Sequence, residues 1–481
     1  MAAPPIRGSM YIDGQWCEAD SGRTIDVINP ATEEVVRQVG YGGTAETERA
    51  IAAAGKAAGV WREMTPYERQ VPLRKVADLI RERVDELAQP LTAEQGKPLA
   101  EARLEVLVNA TFFEWYAEEA NRLYGEIVPS HFRHKRLFLF HQPVGICALI
   151  APWNYPLFLQ GRKIAPALAA GCTCVCRPST ETPLNLIKLF ELMEDAGIPA
   201  GVANLVLGPA DDCMEAFYNE RKVRQISFSG SIEVGREIMR RSAEHVKRIS
   251  IELGGHAPFV AFPDFGAEAA AKFAVANKFR NTGQSCIAAS RFYIQEEMYD
   301  RFCKAAVAEA EALVVGNGLD DGVTMGPLTT AEQRDKTLAM IRDALDRGAK
   351  LLTGGRKADI PKGFFVEPTV LTDVNSDMQL MNEEPFCPIM PIIPFKTIDD
   401  ALEMANDTEY GLASYIATRD IATGIKMAEG LETGIISLGD FSPATVLAPF
   451  GGMKQSGIGR EGGREGILEY VESKYVSLAM D

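Results

Sequence analysis

RLFLFHQPVGICALI (residues 136–150) is the first of four short apolar runs, and CTCVC (172–176), ANLVLG (203–208) and QISFS (225–229) follow it. Stretches with helical spacing separate these runs. One of them, LNLIKLFELMEDAGI (184–198), ends at the stop signal Gly-Ile-Pro. Such alternation of strand and helix patterns predicts an α/β fold with a parallel sheet and helices on its faces.

The alternation returns after residue 257 and continues toward Gly434. Runs such as RFYIQ (291–295) and FFVEPTVL (364–371) indicate a second α/β unit. Residues 45–124, in contrast, have apolar positions at helical spacing and are predicted to form long helices. Because a single hydrophobic core rarely grows beyond ~300 residues, we expect a chain of 481 residues to contain at least two domains.

The C-terminal stretch EYVESKYVSLAM (469–480) alternates polar and apolar residues, as a strand does. A terminal strand needs a partner edge. The segment 125–140 could supply that edge within the same chain, and a neighbouring subunit could extend the sheet. The sequence therefore predicts a small β sheet in addition to the two α/β units.

Charge and composition argue against several classes of protein. The formal net charge of -16 disfavours nucleic-acid and anionic-membrane partners, because both require clustered Lys and Arg. The first ten residues, MAAPPIRGSM, lack the features of a signal peptide, and no stretch reaches the ~20 apolar residues of a membrane span. We therefore expect a cytoplasmic protein with no nucleic-acid or membrane partner.

The nine cysteines favour reduced thiols over a disulfide framework, because the chain is long and shows no secretory signal. Cys172, Cys174 and Cys176 alternate strictly, which suits one face of a buried strand and does not match the C-x-x-C spacing of metal sites. The five scattered histidines add no ligand pattern. No metal site is predicted.

Two segments carry groups suited to nucleophilic and base chemistry. NTGQSC (281–286) places the Cys286 thiol among small and polar residues after a helical run, where a helix end or turn could lower its pKa. In IELGGHAP (251–258), Glu252 ends an apolar run, and Gly254 and Gly255 allow close approach of the backbone. Taken alone, the thiol could equally be buried filler and the carboxylate a helix cap.

Two further segments suit the binding of anions. In ALIAPWNYP (148–156) an apolar strand runs into Trp153 and Asn154 between two prolines, so a stiff turn presents the Asn154 amide. QISFSGSIEVG (225–235) passes from strand to helix through Gly230 and Ser231, where free amides could hold a phosphate. It does not match G-x-G-x-x-G, so alone it is a poor dinucleotide fingerprint.

Together with NEEPFCP (382–388) and PFGGMKQSG (449–457), these segments resemble the aldehyde dehydrogenase superfamily from about Tyr11 to the C-terminus, in family order and spacing. Within the superfamily the chain is most similar to succinate-semialdehyde dehydrogenase-like members. The resemblance implies a dinucleotide-binding parallel-sheet domain, a second α/β catalytic domain, and a small β flap that joins subunits into a homodimer or homotetramer.

The expected domain boundaries follow from the same resemblance. They are residues 1–123 and 141–254 for the cofactor-binding domain, 255–433 for the catalytic domain, 124–140 and 458–481 for the oligomerisation flap, and 434–457 for a return segment to the cofactor domain.

By this resemblance Cys286 is the nucleophile that converts an aldehyde into a thiohemiacetal. Asn154 and the backbone N–H of Cys286 would hold its oxyanion. After hydride transfer to the nicotinamide, Glu252 would activate the water that hydrolyses the thioester, so the product is a free acid rather than an acyl-coenzyme A. Lys163 matches a lysine near the nicotinamide ribose that helps to relay protons.

The resemblance also nominates cofactor contacts. It implies that Ser231 contacts the pyrophosphate, Glu384 holds the nicotinamide ribose and Trp153 forms part of the pocket wall. The other expected cofactor residues are Arg177, Ser179, Thr180, Gly230, Leu253 and Phe386.

One departure from the family pattern bears on the choice between NAD and NADP. Many members have Lys-Pro-x-Glu where this chain has Arg177, Pro178, Ser179 and Thr180. A carboxylate there would repel a 2′-phosphate, whereas Thr180 and Arg177 supply a hydroxyl and a cation. We therefore expect NADP to be accepted and hypothesise that it is preferred. A second departure, Cys387 in place of the usual glycine, has no functional explanation from the sequence.

Two arginines suggest the substrate class. Arg162 and Arg280 match positions that are arginine in succinate-semialdehyde dehydrogenase-like members, and together they could bind an anionic tail. Alternatively, they form ordinary salt bridges. The same pair suits 2-oxoglutarate or glutarate semialdehyde or a sulfonated aldehyde, and lactaldehyde is a further candidate. Changing either arginine to Ala is expected to raise KM for an anionic aldehyde and to spare a neutral one.

Two hypotheses from other classes compete with a dehydrogenase. A cysteine-dependent esterase would use the thiol and the carboxylate, but it would leave the cofactor segments near Ser231 and Glu384 unexplained. A binding or structural role on the same scaffold would be favoured by loss of Cys286 or Glu252. Both residues are present.

Overall fold

The computed structural model describes residues 5–480. Helices and parallel strands alternate through most of this range. The α-helices are α1 (Thr44–Glu63), α2 (Pro66–Glu82), α3 (Val84–Gln95), α4 (Leu99–Glu119), α5 (Pro156–Ala170), α6 (Leu184–Asp195), α7 (Ala210–Asn219), α8 (Ile232–Ser242), α9 (Ala267–Phe279), α10 (Tyr299–Glu311), α11 (Ala331–Asp346), α12 (Gln379–Asn382), α13 (Ile398–Asn406), α14 (Ile421–Gly430) and α15 (Glu465–Leu468).

The strands form four sheets. They are β1 (Met10–Ile12), β2 (Gln15–Cys17), β3 (Thr24–Ile28), β4 (Val35–Gly40), β5 (Glu126–Val128), β6 (Lys135–Pro143), β7 (Ile146–Ile150), β8 (Thr173–Arg177), β9 (Ala203–Leu205), β10 (Val223–Gly230), β11 (Arg248–Leu253), β12 (Ala257–Ala261), β13 (Ala289–Gln295), β14 (Lys350–Thr353), β15 (Thr369–Thr372), β16 (Ile389–Phe395), β17 (Ala413–Ala417), β18 (Ile435–Leu438), β19 (Gly457–Ile458) and β20 (Val471–Ala479).

The first sheet has the strand order β19-β11-β10-β7-β8-β9-β1-β2. Its five central strands, β11 to β9, run parallel, and the strands added at the two edges are antiparallel. Every residue of β7 and β8 is buried, as expected for parallel strands covered on both faces. The parallel α/β sheet predicted from residues 136–229 is therefore confirmed.

The second sheet has the order β14-β15-β16-β13-β12-β17-β18 and is parallel except for β14. Its apolar core packs β12, β13 and β17 against α9 and α10. Because β18 is the seventh strand of this sheet, the chain leaves the second unit after Leu438. Residues 434–457, expected to form the return segment, thus include strand β18 of this sheet.

The third sheet is small and antiparallel. Strand β20 pairs with β6 over nine residues, from Val471 opposite Pro143 to Ala479 opposite Lys135, and β5 pairs with the other side of β6. The partner strand therefore comes from the same chain. Within residues 458–480, expected to belong to the flap, Ile458 of β19 pairs with β11 at the edge of the first sheet. The division into domains remains a prediction.

Helix α5 sets the position of several candidate site residues. It begins at Pro156, whose missing N–H costs nothing in the first turn. It ends at Gly171, which adopts the left-handed conformation (φ 93°) that closes many helices. Almost all of its residues are buried between the first sheet and α4. Side chains on α5 are thus held rigidly.

The three alternating cysteines lie in and just before the buried strand β8, in the apolar core of the first unit. The sulfur atoms of Cys174 and Cys176 are 3.8 Å apart. Within residues 5–480 no group of three His, Cys, Asp or Glu side chains could hold a metal ion. No helix in the same range is long and apolar enough to cross a bilayer.

Candidate active site

A cavity of about 540 Å³ collects four of the candidate residues. Asn154, Arg162, Arg280 and Cys286 all line it. Its other walls come mainly from apolar and aromatic side chains of α4 and α5 and from the loop that contains Phe441. The structure thus brings the expected nucleophile, oxyanion donor and tail-binding arginines to one concave site.

Cys286 follows a tight turn at the end of α9. Asn281 and Thr282 both adopt left-handed backbone angles (φ 49° and 56°), which are unusual for residues other than glycine. Gly283 continues the turn at φ 75°. Cys286 itself is partly exposed. Burial raises the pKa of its thiol well above the usual range, and Glu252 raises it further as a neighbouring charge and hydrogen-bond acceptor.

Glu252 lies on β11, and its side chain is 5% exposed. Burial raises the pKa of its carboxyl, and the Arg162 guanidinium opposes that effect. Oε1 has no hydrogen-bond partner within residues 5–480. Directly after β11 the chain passes close to the Cys286 turn, because a Cβ on Gly255 would lie 2.1 Å from the carbonyl oxygen of Cys286. Only glycine permits this approach, so Gly255 lets the end of β11 pass close to the Cys286 turn, and the Glu252 carboxyl interacts with the thiol.

Asn154 is buried in the irregular segment between β7 and α5. Its Nδ2 donates to the carbonyl oxygen of Gln284 at 3.2 Å, and Oδ1 has no partner among the described residues. The amide therefore contacts the turn that carries Cys286. One of the two Nδ2 hydrogens suffices for this bond, which leaves the other free for a ligand.

Arg162 and Lys163 follow each other on α5 and share one carboxylate. Arg162 Nε lies 2.5 Å from Glu461 Oε2, and Lys163 Nζ donates to Glu461 Oε1. Arg162 Nη2 is also 3.9 Å from Glu252 Oε2. Burial would raise the pKa of Glu461, but Arg162 and Lys163 outweigh it and lower that pKa. Burial lowers the pKa of Lys163, and Glu461 opposes it.

The guanidinium of Arg162 also lies 4.1 Å from the centre of the Phe450 ring. Its Nη1 and Nη2 are buried and have no hydrogen-bond partner in residues 5–480. Arg280, in contrast, is exposed. No hydrogen bond or ion pair of its guanidinium exists within the described range. Both guanidinium groups could therefore bind an anion. That of Arg162 is buried, and that of Arg280 is exposed.

The expected phosphate contacts lie where the first sheet meets α8. Gly230 ends β10 and pairs in register with Leu253 at the end of β11. Ser231 caps α8, and its Oγ accepts the N–H of Val234 at 3.4 Å. The N-terminus of this eleven-residue helix offers free amides and a positive dipole.

The residues expected near the adenosine ribose follow β8. Arg177 donates from Nη2 to the carbonyl oxygen of Gly208 at 3.1 Å, and its buried Nε has no partner among residues 5–480. The Thr180 hydroxyl lies 3.5 Å from that of Tyr41. The Ser179 hydroxyl donates to the Glu181 carboxylate. A carboxylate is thus present one residue after the position where the sequence analysis found none.

The remaining expected cofactor residues include an aromatic pair and a carboxylate that contacts Gly254 and Gly255. The rings of Trp153 and Phe386 meet edge to face with centroids 5.5 Å apart. Glu384 Oε1 accepts the N–H of Gly255 at 3.0 Å. A Cβ on Gly254 would lie 2.4 Å from Glu384 Oε2, so the glycine makes room for that carboxylate. Burial raises the pKa of Glu384 to about 8.

Comparison with known protein families finds a match to the family described as "Aldehyde dehydrogenase family" over residues 16–476. The chain belongs to the aldehyde dehydrogenase family. It is 45% identical to a glutarate-semialdehyde dehydrogenase of Pseudomonas putida, covering 99% of this chain and 98% of the relative. It is 44% identical, with the same coverage, to the NADP(+) succinate-semialdehyde dehydrogenase of Escherichia coli.

The fold agrees with this membership. A crystal structure titled as an E. coli NADP-dependent enzyme matches with a TM-score of 0.97 at 43% identity, covering 99% of this chain and 98% of the other. The expected α/β fold and the expected similarity to succinate-semialdehyde dehydrogenase-like members are confirmed. The chain is an NAD(P)-dependent aldehyde dehydrogenase, and its substrate is an aldehyde.

Two residues of the dehydrogenase site escaped sequence reasoning. Glu461 lies in GREGG, after the PFGGMKQSG motif, and nothing local indicates that it joins Arg162 and Lys163. Glu181 is next to Thr180 and could have been noticed as a nearby carboxylate. Cys387 has a structural explanation, because its side chain packs in the apolar cluster that includes Leu380 and Ile389.

Proposed function

We propose that this dehydrogenase oxidises an aldehyde with an anionic group at its far end, such as succinate semialdehyde, to the carboxylic acid. The observation that supports this substrate class is the shared cavity of Cys286, Arg162 and Arg280. A thiol at one point and two guanidinium groups at others suit a molecule that is reactive at one end and negative at the other. Glutarate and succinate semialdehydes, named for the two relatives above, both fit this description.

In the proposed reaction the Cys286 thiolate adds to the aldehyde carbon and forms a thiohemiacetal. The second Nδ2 hydrogen of Asn154 and the N–H of Cys286 stabilise the oxyanion. The position of Asn154 beside the Cys286 turn supports this role. Removing one such donor typically lowers the rate by about 100- to 1000-fold.

Glu252 is the proposed general base for the second half of the reaction. It takes a proton from water, whose oxygen attacks the thioester carbon, and the Cys286 thiolate leaves as the acid forms. A buried carboxyl with a raised pKa and a free Oε1 suits this task, because the raised pKa makes the carboxylate a stronger base and Oε1 is available to accept the proton. Lys163 and Glu461 form the adjacent buried pair through which a proton can be passed.

NAD(P)+ is the proposed hydride acceptor, and the residues at its expected site fit such a group. Ser231 and the start of α8 suit the pyrophosphate, and Glu384 suits the nicotinamide ribose. Trp153 and Phe386 form an aromatic wall beside them. When bound at these residues, NAD(P)+ would supply the hydride acceptor for the oxidation. The protein's part is to hold the cofactor near Cys286 and to exclude water until hydrolysis.

A panel of aldehydes tests the proposed substrate class. We expect kcat/KM to be at least tenfold higher for succinate or glutarate semialdehyde than for butanal or pentanal, since each arginine contact to a charged group contributes on the order of a factor of ten. A sulfonated aldehyde should behave like the carboxylates. Equal or higher kcat/KM with butanal would overturn the anionic-tail proposal while leaving the dehydrogenase chemistry intact.

We further propose that NADP is accepted and preferred. Arg177, with its unpartnered Nε, supports binding of a 2′-phosphate, whereas Glu181 opposes it. Titration with NADPH and NADH, followed by nicotinamide fluorescence, measures both dissociation constants without turnover. A lower Kd for NADH would contradict the preference.

E181Q should tighten NADPH binding by about threefold to tenfold and leave NADH binding nearly unchanged, because only the 2′-phosphate is repelled by the Glu181 carboxylate. E215Q, at an exposed carboxylate on α7, is the matched control.

The proposed assembly is a homodimer or homotetramer joined through the third sheet. Large apolar residues on its strands are exposed, which favours burial against a partner. They are Ile127, Val128, Phe140, Tyr475, Val476 and Leu478. Light scattering of the purified protein checks the mass, and a monomer would refute the proposal.

The nine free cysteines support a reducing compartment, which is consistent with the cytoplasm.

A further inference from the structure

Three charged side chains lie near the turn that carries Cys286 and near the segment that carries Asn154. Lys97 precedes α4, and Glu101 and Glu105 are one turn apart on that helix. Lys97 Nζ and Glu105 Oε2 are 2.5 Å apart, and their side chains are 0% and 1% exposed. A fully buried ion pair loses the hydration of both charges, so it persists only where each group gains several other partners.

Lys97 gains those partners from the segment that carries Asn154. Its Nζ donates to the main-chain carbonyl oxygen of Asn154 at 2.8 Å and lies 3.9 Å from the centre of the Tyr155 ring. The same carbonyl accepts a second hydrogen bond from Asn281 Nδ2 at 2.9 Å. The peptide group of Asn154 is thus fixed between a cation and the turn before Cys286.

Glu105 fixes the other end of the same segment. Its Oε1 accepts the N–H groups of Leu157 and Phe158, each at 3.1 Å, in the first turn of α5. Those N–H groups have no partner inside the helix, and a carboxylate there also interacts favourably with the helix dipole. Lys97 and Glu105 therefore hold the chain between β7 and α5, in addition to the hydrogen bonds that join Asn154 to the Cys286 turn.

Glu101 acts in the same way on the Cys286 turn. Its Oε2 accepts the N–H of Asn281 at 2.9 Å. Asn281 and Thr282 adopt left-handed angles that residues with a side chain disfavour, so the turn needs external bonds to persist. One helix thus supports both irregular segments of the site. Of the three charged residues only Glu105 lines the cavity, and neither Lys97 nor Glu101 does.

We infer that Lys97 is a positioning residue for the oxyanion site, which it serves by fixing the main chain at Asn154 so that the Nδ2 donor faces the reacting oxygen. The inference rests on the proposed role of Asn154. Lys97 does not contact the aldehyde. Its contribution is lost when Asn154 can no longer donate, and this dependence separates positioning from a general effect on stability.

A double-mutant cycle tests the inference. K97M should lower kcat for succinate semialdehyde by about 10- to 100-fold, because the Nδ2 donor loses its fixed direction. In an N154A background the same substitution should lower kcat less than about twofold. Alkylation of Cys286 by iodoacetamide forms no oxyanion, so its rate should stay within about twofold in K97M.

A second variant guards against misfolding of K97M. E105Q keeps the Oε1 acceptor for Leu157 and Phe158 but replaces the anionic partner of Lys97, so it should also lower kcat in the wild-type background and have little effect in N154A. K188M is the matched control. Lys188 forms a similarly buried pair with Glu191 at 2.7 Å, on α6, so its loss should lower the Tm and leave kcat unchanged.

The outcomes distinguish two kinds of failure. Equal factors for K97M with and without Asn154, no effect of K97M on kcat, or a parallel loss of alkylation would overturn the positioning role while leaving the function of Asn154 intact. An N154A variant with unchanged kcat would refute the proposed oxyanion donor and the inference with it.

Discussion

The two arginines of the cavity differ in everything that surrounds them. Arg162 is 1% exposed, has a carboxylate oxygen of Glu461 at 2.5 Å and lies on the ring of Phe450. Arg280 is exposed and has no hydrogen bond or ion pair within residues 5–480. Arg162 is thus part of a buried charge network. Arg280 acts on the buried Glu101 carboxyl only as a nearby charge, and its guanidinium is available to a ligand.

This difference changes what each arginine can do. The charge of Arg162 also acts on Glu252 and Cys286, whose pKa values it lowers against the effect of burial. Its removal should therefore disturb the chemistry for every aldehyde. Removal of Arg280 should affect only substrates with a negative tail. The sequence motifs suggest the same role for both arginines, whereas substitutions at and around the two residues should have different effects.

The largest loss of activity is expected at Glu252, which belongs to the buried charge network of Arg162. E252Q removes the proposed base, so kcat should fall by about 100- to 10,000-fold. The Glu252 carboxylate also raises the pKa of Cys286, because a nearby negative charge and its hydrogen bond disfavour the thiolate. In E252Q that pKa should fall. The pH profile of Cys286 alkylation by iodoacetamide should consequently move to lower pH, and a move to higher pH would contradict the assigned interaction.

R162M should have the next largest effect. It leaves Glu461 with Lys163 alone and removes the cation that favours ionised Glu252 and Cys286. Breaking a buried pair of this kind is costly, so kcat/KM should fall on the order of 100-fold for butanal and still further for succinate semialdehyde, which also loses a contact to its tail, and the Tm should fall. R69M, at a buried arginine bonded to main-chain carbonyls, should lower the Tm only. A loss confined to succinate semialdehyde would instead make Arg162 a simple tail contact.

Much of the fold could be predicted because it depends on local patterns. The apolar runs at 146–150 and 172–176 became buried parallel strands, and the terminal strand found its partner in β6. The boundaries were less predictable. Gly457–Ile458 carries no strand pattern of its own and is a strand only because β11 offers a free edge.

The candidate site, too, could be predicted from the sequence only in part. Cys286, Asn154 and Arg162 were nominated from motifs, and the structure places them around one cavity. The partners of these groups could not be predicted, because they are distant in sequence. Glu461 is 298 residues from Lys163, and no periodicity or motif connects the two. Pairing of buried charges depends on the folded geometry, and the sequence reveals only the charges themselves.

R280Q tests the other side of the comparison and should have a moderate effect. Because Arg280 is exposed, solvent screens its attraction for an anionic tail, and KM for succinate semialdehyde should rise about tenfold. The kcat and KM for butanal should change little. R301Q, at an exposed arginine on α10, is the control for a simple change of surface charge. If R280Q reduced kcat/KM for butanal by the same factor, Arg280 would also take part in the chemistry, and its proposed difference from Arg162 would be refuted.

The smallest effect is expected at Asp440, which lines the cavity together with Arg280. Its Oδ1 accepts the N–H of Ser442 at 3.1 Å, and the residue is exposed. A carboxylate in this place repels an anionic tail, but solvent and salt weaken the repulsion. D440N should raise kcat/KM for succinate semialdehyde about twofold to fivefold at low salt, less at high salt, and not for butanal. D399N, at an exposed aspartate paired with Lys426, controls for net charge. A gain of equal size with butanal would show that Asp440 acts through the conformation of its loop and not through repulsion of the substrate's negative tail. The region around Arg280 would then contribute more than electrostatic attraction for that tail.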